Sequence, residues 1–166
     1  TKDAVTLDAS TRLFAGIQNH HDLAGLSVEE IERRIFPVGF YHQKARQIKR
    51  LAEALVSGIP LIPDREILMS LPGVGRKTAN LVMSLAFSQP AVAVDIHVFR
   101  ITRRLGWCRS KTPEKVEQEL MHLFDQCHWS RINQTLVAFG QTICRPLHPL
   151  CRECRLNGTC PSSEIP

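Results

Sequence analysis

Leu71-Pro72-Gly73-Val74-Gly75-Arg76-Lys77-Thr78-Ala79-Asn80 is the stretch from which the rest of the chain can be read. Just upstream, Asp64-Arg65-Glu66-Ile67-Leu68-Met69-Ser70 predicts a short helix, with Pro63 before it and Asp64 as its N-cap. Pro72 and two glycines end that helix. Gly73 and Gly75 permit positive φ, so the backbone can close a tight hairpin. A second helix is predicted from Arg76 to about Phe87. Glycines without side chains let backbone N–H groups approach an anion closely, and the new helix adds the positive end of its dipole. A phosphate suits such a hairpin. An ordinary turn between two helices, closed by a glycine C-cap, is the competing reading of these residues.

The chain of 166 residues fits one domain, or one domain with a small appendage, and 43% hydrophobic content is enough for a core. A net charge of +5 points to an anionic partner, nucleic acid being the commonest. No uninterrupted apolar run reaches transmembrane length, and no signal peptide opens the chain. Residue 1 is Thr, so processing or a longer parent chain is expected. Of the six cysteines, Cys144, Cys151, Cys154 and Cys160 crowd near the C-terminus. Such crowding suits a metal or a cluster better than a disulfide framework. Cys108 and Cys127 stand apart and are expected to be buried core thiols.

Helical periodicity recurs elsewhere, and strand signals are scarce. Thr1 to Ile17 predicts a helix with Ala4, Leu7, Phe14 and Ile17 on its inner face. Ser27 and Glu30 have the spacing of a capping box, opening a helix with Val28, Ile31, Ile35 and Phe36 at helical intervals. A helix from about Tyr41 to Val56 follows, with Ala45, Ile48, Leu51, Ala52 and Leu55 inward and Lys44, Arg46, Lys49 and Arg50 on a solvated face. The helix after the hairpin is apolar nearly all round and is expected to be buried on most sides. Ala91-Val92-Ala93-Val94 reads as a buried extended segment, because no partner strand is available. Asp95 then caps a helix to about Leu105. Thr112 caps another, with Pro113 in its first position and Val116, Leu120, Leu123 and Phe124 inward. A last helix spans about Ser130 to Gly140, with Ile132, Leu136 and Phe139 inward. The fold class is all-α. We divide it as a helical domain over residues 1–140, with the helix–hairpin–helix at about 64–87, and a loop-rich cysteine segment over 141–166.

Three groups carry chemistry. Lys77 lies in the first turn of a helix, where its charge opposes the dipole. Either it projects into solvent or onto phosphate as a point charge, or it is a nucleophile. An amine attacks carbon only when neutral, and the helix N-terminus, Arg76 and partial burial would favour that state. Asp95 emerges from an apolar run to begin a helix. It serves as a cap, and near an amine it could also manage protons or stabilise positive charge on a sugar. Cys144-x6-Cys151-x2-Cys154-x5-Cys160 supplies four thiolates, with only one short pair and long arms on either side. Structural zinc usually takes two short pairs, so the spacing suits a cubane with one thiolate per iron. Arg145, Arg152 and Arg155 lie among these ligands and could grip phosphate.

The hairpin stretch, then Val94-Asp95-Ile96-His97-Val98-Phe99-Arg100, then the four-cysteine array, together resemble endonuclease III, the iron–sulfur branch of the helix–hairpin–helix DNA glycosylases. The resemblance covers essentially the whole chain. It implies a helical barrel with a C-terminal [4Fe–4S] cluster loop, and a lesion flipped into the cleft between two lobes. It implies Lys77 as nucleophile, Asp95 as essential carboxylate and Cys144, Cys151, Cys154 and Cys160 as cluster ligands. The expected DNA contacts are Leu71, Gly73, Val74, Gly75, Arg76, Arg145, Arg152 and Arg155. The resemblance also implies further helices upstream of Thr1, including a glutamine that fills the gap left by a flipped base, so a fragment is expected.

The function expected is a base-excision-repair glycosylase and abasic-site lyase that removes oxidised pyrimidines and cuts 3′ to the abasic site by β-elimination. The partner expected is double-stranded DNA with damaged pyrimidines or abasic sites, bound by a monomer. The setting expected is intracellular: the cytoplasm in a bacterium, the nucleus or mitochondrion in a eukaryote. A monofunctional glycosylase such as the adenine-specific branch is the nearest rival, although that branch typically lacks a lysine where this chain has Lys77. A DNA-binding module with structural zinc and no catalysis is the other.

Overall fold

In the computed structural model, which describes residues 3–163, nine α-helices and two short 3-10 turns account for the regular structure. No strand occurs among the described residues. The helices are α1 (Asp3–Phe14), α2 (His20–Gly25), α3 (Val28–Ile35), α4 (Tyr41–Val56), α5 (Arg65–Ser70), α6 (Arg76–Leu85), α7 (Ile96–Arg104), α8 (Pro113–Leu123) and α9 (Trp129–Thr142). They fall into two compact units, one ending at Gly75 and the other beginning at Arg76. The cysteine loop lies in the second unit.

In the first unit α4 packs against α2 and α3, and α1 packs against α3. Ala9, Leu13, Ile31, Ile35, Val38 and Ala45 form the core. The inner face of α1 differs from the expected one. Leu7 is 71% exposed and Phe14 is 55% exposed, while Ala9 and Leu13 are buried and Val5 is half-buried. Val5, Ala9 and Leu13 form a stripe at four-residue spacing, and this narrower stripe meets α3. On α3, Ile31 and Ile35 are buried as expected, but Phe36 is left exposed. α4 has the expected bounds, with Ala45 and Ala52 buried.

Capping explains where these helices start. Ser27 Oγ accepts from the Glu30 amide, but the Glu30 carboxylate pairs with Arg33 and Arg34 rather than turning back on the cap. The reciprocal capping box belongs instead to α2, where Asn19 and Asp22 bond each other's backbone N–H groups. Nothing in the apolar pattern announces that short helix, which has no fully buried residue and rests on the core through Leu23. Asp64 caps α5 through the Ile67 amide at 3.0 Å, as expected.

In the second unit, α7 packs on α9 around Val92, Val94, Val98, Ile101, Val116, Leu120, Ile132 and Leu136. Residues 91–94 run extended and buried with no partner strand. Two asparagine side chains satisfy their carbonyls instead: Asn80 donates to Val92 O at 2.8 Å and Asn133 to Ala93 O at 2.9 Å. α6 is not buried all round. Ala79 and Asn80 are buried, Leu81, Val82 and Met83 are half-buried, and Leu85 is 71% exposed. The last turn of this helix therefore leaves the core. On α8, Leu123 is exposed, and the buried face is Val116, Glu117 and Leu120. Cys108 is buried, and burial pushes its thiol up to about 11. Cys127, expected in the core, is exposed, because it sits in the 3-10 turn ahead of α9.

Candidate active site

The hairpin is built as the residues demand at one glycine and not at the other. The Val74 amide donates to Leu71 O at 3.1 Å and closes the turn. Gly73 has φ of +80°, the left-handed region that favours glycine, and a Cβ there would meet Gln47 Cβ at 3.2 Å. Gly75, expected to need the same freedom, has no positive φ, and a Cβ on it would meet nothing within 4 Å. The fold therefore leaves room for a side chain at Gly75. Leu71 is 3% exposed, so its side chain belongs to the core while its carbonyl holds the turn. Gly73 and Gly75 are exposed and Val74 is half-buried.

The first turn of α6 holds Arg76 and Lys77 and contains no acidic residue. Glycine precedes it and offers no side-chain cap. Arg76, expected at DNA, is half-buried, and its guanidinium is engaged by a carboxylate of the protein. Its Nε donates to Glu117 Oε2 at 2.7 Å and its NH2 to Glu117 Oε1 at 3.1 Å. Those bonds raise Arg76 above its ordinary pKa, against the opposing effect of its partial burial. Lys77 is exposed, so the partial burial expected of it is absent. Asp95 sits where the buried segment ends. Its Oδ1 accepts from the amides of His97 and Val98, each at 2.9 Å, and so caps α7. Asn80 lies one turn beyond Lys77 on α6 and bonds the segment that delivers Asp95. Lys77 and Asp95 are thus carried by backbone that a single amide ties together.

The opposite end of α7 reaches the cysteine loop. Arg104 NH1 donates to Cys144 Sγ at 3.4 Å, and the Cys160 thiol meets Arg104 O at 3.6 Å. Arg104 also donates to Arg145 O at 2.6 Å and Pro146 O at 3.1 Å. Arg100 donates to Cys144 O at 2.8 Å. α9 approaches this helix so closely that a Cβ on Gly140 would lie 2.5 Å from His97 Nδ1 and 2.8 Å from Arg100 NH2. The Leu156 amide donates to Cys154 Sγ at 3.4 Å. All four cysteines are half-buried and free of disulfides, and all four line one cavity, with Arg104, Leu105, Phe139 and Ile143 around them. Among the described residues no three such ligands converge closely enough for a single metal ion. Arg145, Arg152 and Arg155 are exposed on the same loop.

Glu117 and Asn80 are the polar residues that pattern reading passes over. Glu117 falls on the apolar face of α8, between Val116 and Leu120, and a charge at such a position signals a buried partner. Asn80 interrupts the apolar run of α6. Phe40 is a third. It is 83% exposed, the most exposed of the large apolar side chains among the described residues, and its backbone is left-handed with φ of 57°. An aromatic residue held in that conformation in full solvent is a signal visible only in three dimensions.

Comparison with known proteins identifies the family. Residues 1–126 match the HhH-GPD superfamily base excision DNA repair protein model. The chain is 43% identical over 162 residues to endonuclease III of Thermotoga maritima, a match covering 96% of this chain and 76% of that one. Endonuclease III of Bacillus subtilis is 38% identical, with 95% and 74% covered. The structure superposes with a TM-score of 0.91 on a trapped endonuclease III–DNA covalent intermediate. That protein is 39% identical, with 98% of this chain and 78% of that chain covered. The chain belongs to the endonuclease III family of the HhH-GPD superfamily.

Proposed function

We propose that this chain removes oxidised pyrimidines from double-stranded DNA and then cleaves the strand, with Lys77 as nucleophile and Asp95 as its carboxylate partner. As a member of the endonuclease III family it is a base-excision-repair DNA glycosylase and abasic-site lyase. The single observation that carries the residue assignment is the pairing of Arg76 with Glu117. It accounts for one cation of the first turn of α6 and leaves Lys77 as its exposed amine.

In this reading the neutral Lys77 amine attacks C1′ of a flipped nucleotide. The C1′–N bond breaks, the base leaves with a proton, and the opened sugar forms a Schiff base with Nζ. Loss of a C2′ proton then expels the 3′ phosphate. Asp95 stabilises positive charge on the sugar and moves protons while its Oδ1 still caps α7. Gly73, Val74 and Gly75 hold the backbone phosphate, with Leu71 closing their turn. Phe40 is the side chain offered for insertion into the base stack, as apolar wedges are in other DNA-bending proteins. Arg145, Arg152 and Arg155 grip a second stretch of backbone.

Cys144, Cys151, Cys154 and Cys160 would hold a [4Fe–4S] cluster. Their sulfurs line one shared cavity, and their spacing along the chain, with a single short pair, suits one thiolate per iron. Bound there, the group would supply a covalent scaffold for a loop with little regular structure, since glycosidic cleavage needs no net electron transfer. The test of the whole reading is a single-turnover panel of duplexes, each with one altered base. Excision of oxidised pyrimidines, followed by strand cleavage, supports it. Excision of adenine without strand cleavage would transfer the chain to the monofunctional rival.

A further inference from the structure

Lys77 sits between two anchored residues of α6. One position ahead, Arg76 is bound through two of its guanidinium nitrogens, Nε and NH2, by Glu117; three positions on, Asn80 is bound to Val92 O. The Asn80 anchor is local to the core. The Glu117 anchor comes from α8, 41 positions along the chain. It sits where a carboxylate is expensive: only 2% exposed, flanked by the fully buried Val116 and Leu120. A buried ion pair of this kind is poor evidence for stability, since apolar residues of similar volume often do as well. What such a pair does secure is geometry. A carboxylate gripping a planar fork fixes both the position and the rotation of the guanidinium, which a lysine ammonium would not allow. The first turn of α6 also lacks an N-cap side chain and any acidic residue of its own. Glu117 supplies from a distance the negative charge that helix N-termini usually take from their first turn.

We propose that Glu117 is a positioning residue for the reaction: by clamping Arg76 from α8 it fixes the helix turn that presents the Lys77 amine. The proposal rests on Lys77 being the nucleophile, and it removes Arg76 from the set of phosphate contacts. It also explains why the two cations are adjacent. One is half-buried and held by Glu117, and the other is the exposed amine.

The test uses the full chain, with Glu117→Gln and Arg76→Lys as variants. Both keep the size of the side chain and lose the charged fork. Three quantities are read: melting temperature, DNA affinity with its salt slope, and the single-turnover rate of borohydride trapping on abasic DNA at saturating protein. The proposal expects trapping to slow at least tenfold in each variant at a temperature where the variant is folded. Affinity should stay within twofold and the salt slope should not change. Trapping within twofold of wild type would overturn it, as would a salt slope that falls with Arg76→Lys. A purely structural role would lower the melting temperature and leave the rate of the folded protein unchanged, which also overturns it. If Glu117→Gln does not fold, Arg76→Lys, which leaves the carboxylate a cationic partner, carries the same readings alone. Lys77→Ala run in parallel separates the failures: trapping by that variant sinks the nucleophile assignment, whereas the Glu117 result sinks only the clamp.

Discussion

Asp95→Asn separates two roles that one side chain combines. Asp95 Oδ1 accepts the His97 and Val98 amides at 2.9 Å each, and an asparagine oxygen can accept both in the same place. Asn ranks with Asp as an N-cap. The substitution therefore removes only a charge at a helix N-terminus, about 0.3–1 kcal/mol. Asp95→Ala removes the acceptor as well, a loss of about 1 kcal/mol and at most about 2. For a chain of this length each kcal/mol lowers Tm by about 2–4 °C. Asp95→Asn should therefore melt no more than about 4 °C below wild type. Its chemistry should suffer far more, because a positioned acid or base contributes about 10²- to 10⁴-fold in rate, or roughly 3–5 kcal/mol of activation free energy. The assay pairs thermal unfolding with single-turnover excision at saturating protein. A rate within tenfold of wild type would refute the catalytic role, and so would a Tm loss for Asn as large as that for Ala together with an equal loss of rate.

Three further outcomes are expected. Gly75→Ala should leave Tm unchanged within about 2 °C, because nothing lies within 4 Å of the added Cβ, yet weaken DNA binding about tenfold if a phosphate sits against that glycine; unchanged affinity in a filter-binding titration returns the hairpin to an ordinary turn. Arg145→Ala, Arg152→Ala and Arg155→Ala combined should reduce the slope of log K against log salt by about 2.7, at about 0.9 per phosphate contact. A slope equal to wild type takes the three arginines out of the interface. Cys151→Ala should lose iron and sulfide and melt at a lower temperature; wild type that contains zinc, or a variant that keeps its iron, contradicts the cluster assignment.

Much of the architecture was legible in the sequence because helix punctuation is local. Asp64, Asp95 and Thr112 are caps in both readings, and Pro113 opens α8. Boundaries at Tyr41 and Val56 followed from glycine and apolar spacing. What was not legible depends on contacts far apart in the chain. The face α1 buries is decided by α3, which takes the narrower stripe of Val5, Ala9 and Leu13 and leaves Leu7 and Phe14 exposed. The apolar run of α6 reads as a buried helix, but Leu85 leaves the core because the chain turns away at its end. Gly73 and Gly75 look alike in sequence, and only the backbone distinguishes the one the fold requires. Arg76 reads as a free cation until Glu117, from a helix much further along, is placed beside it. The cysteine spacing specified four thiolates, but not that Arg104 of α7 would contact two of them.

The central claim is that the amine of Lys77 forms a covalent bond with the sugar. Borohydride reduction of wild-type protein on duplex DNA with one abasic site, followed by proteolysis and mass spectrometry, tests this directly. The account predicts a single reduced adduct on Lys77, absent from Lys77→Ala. An adduct on another residue, or trapping of Lys77→Ala at the wild-type rate, would contradict it.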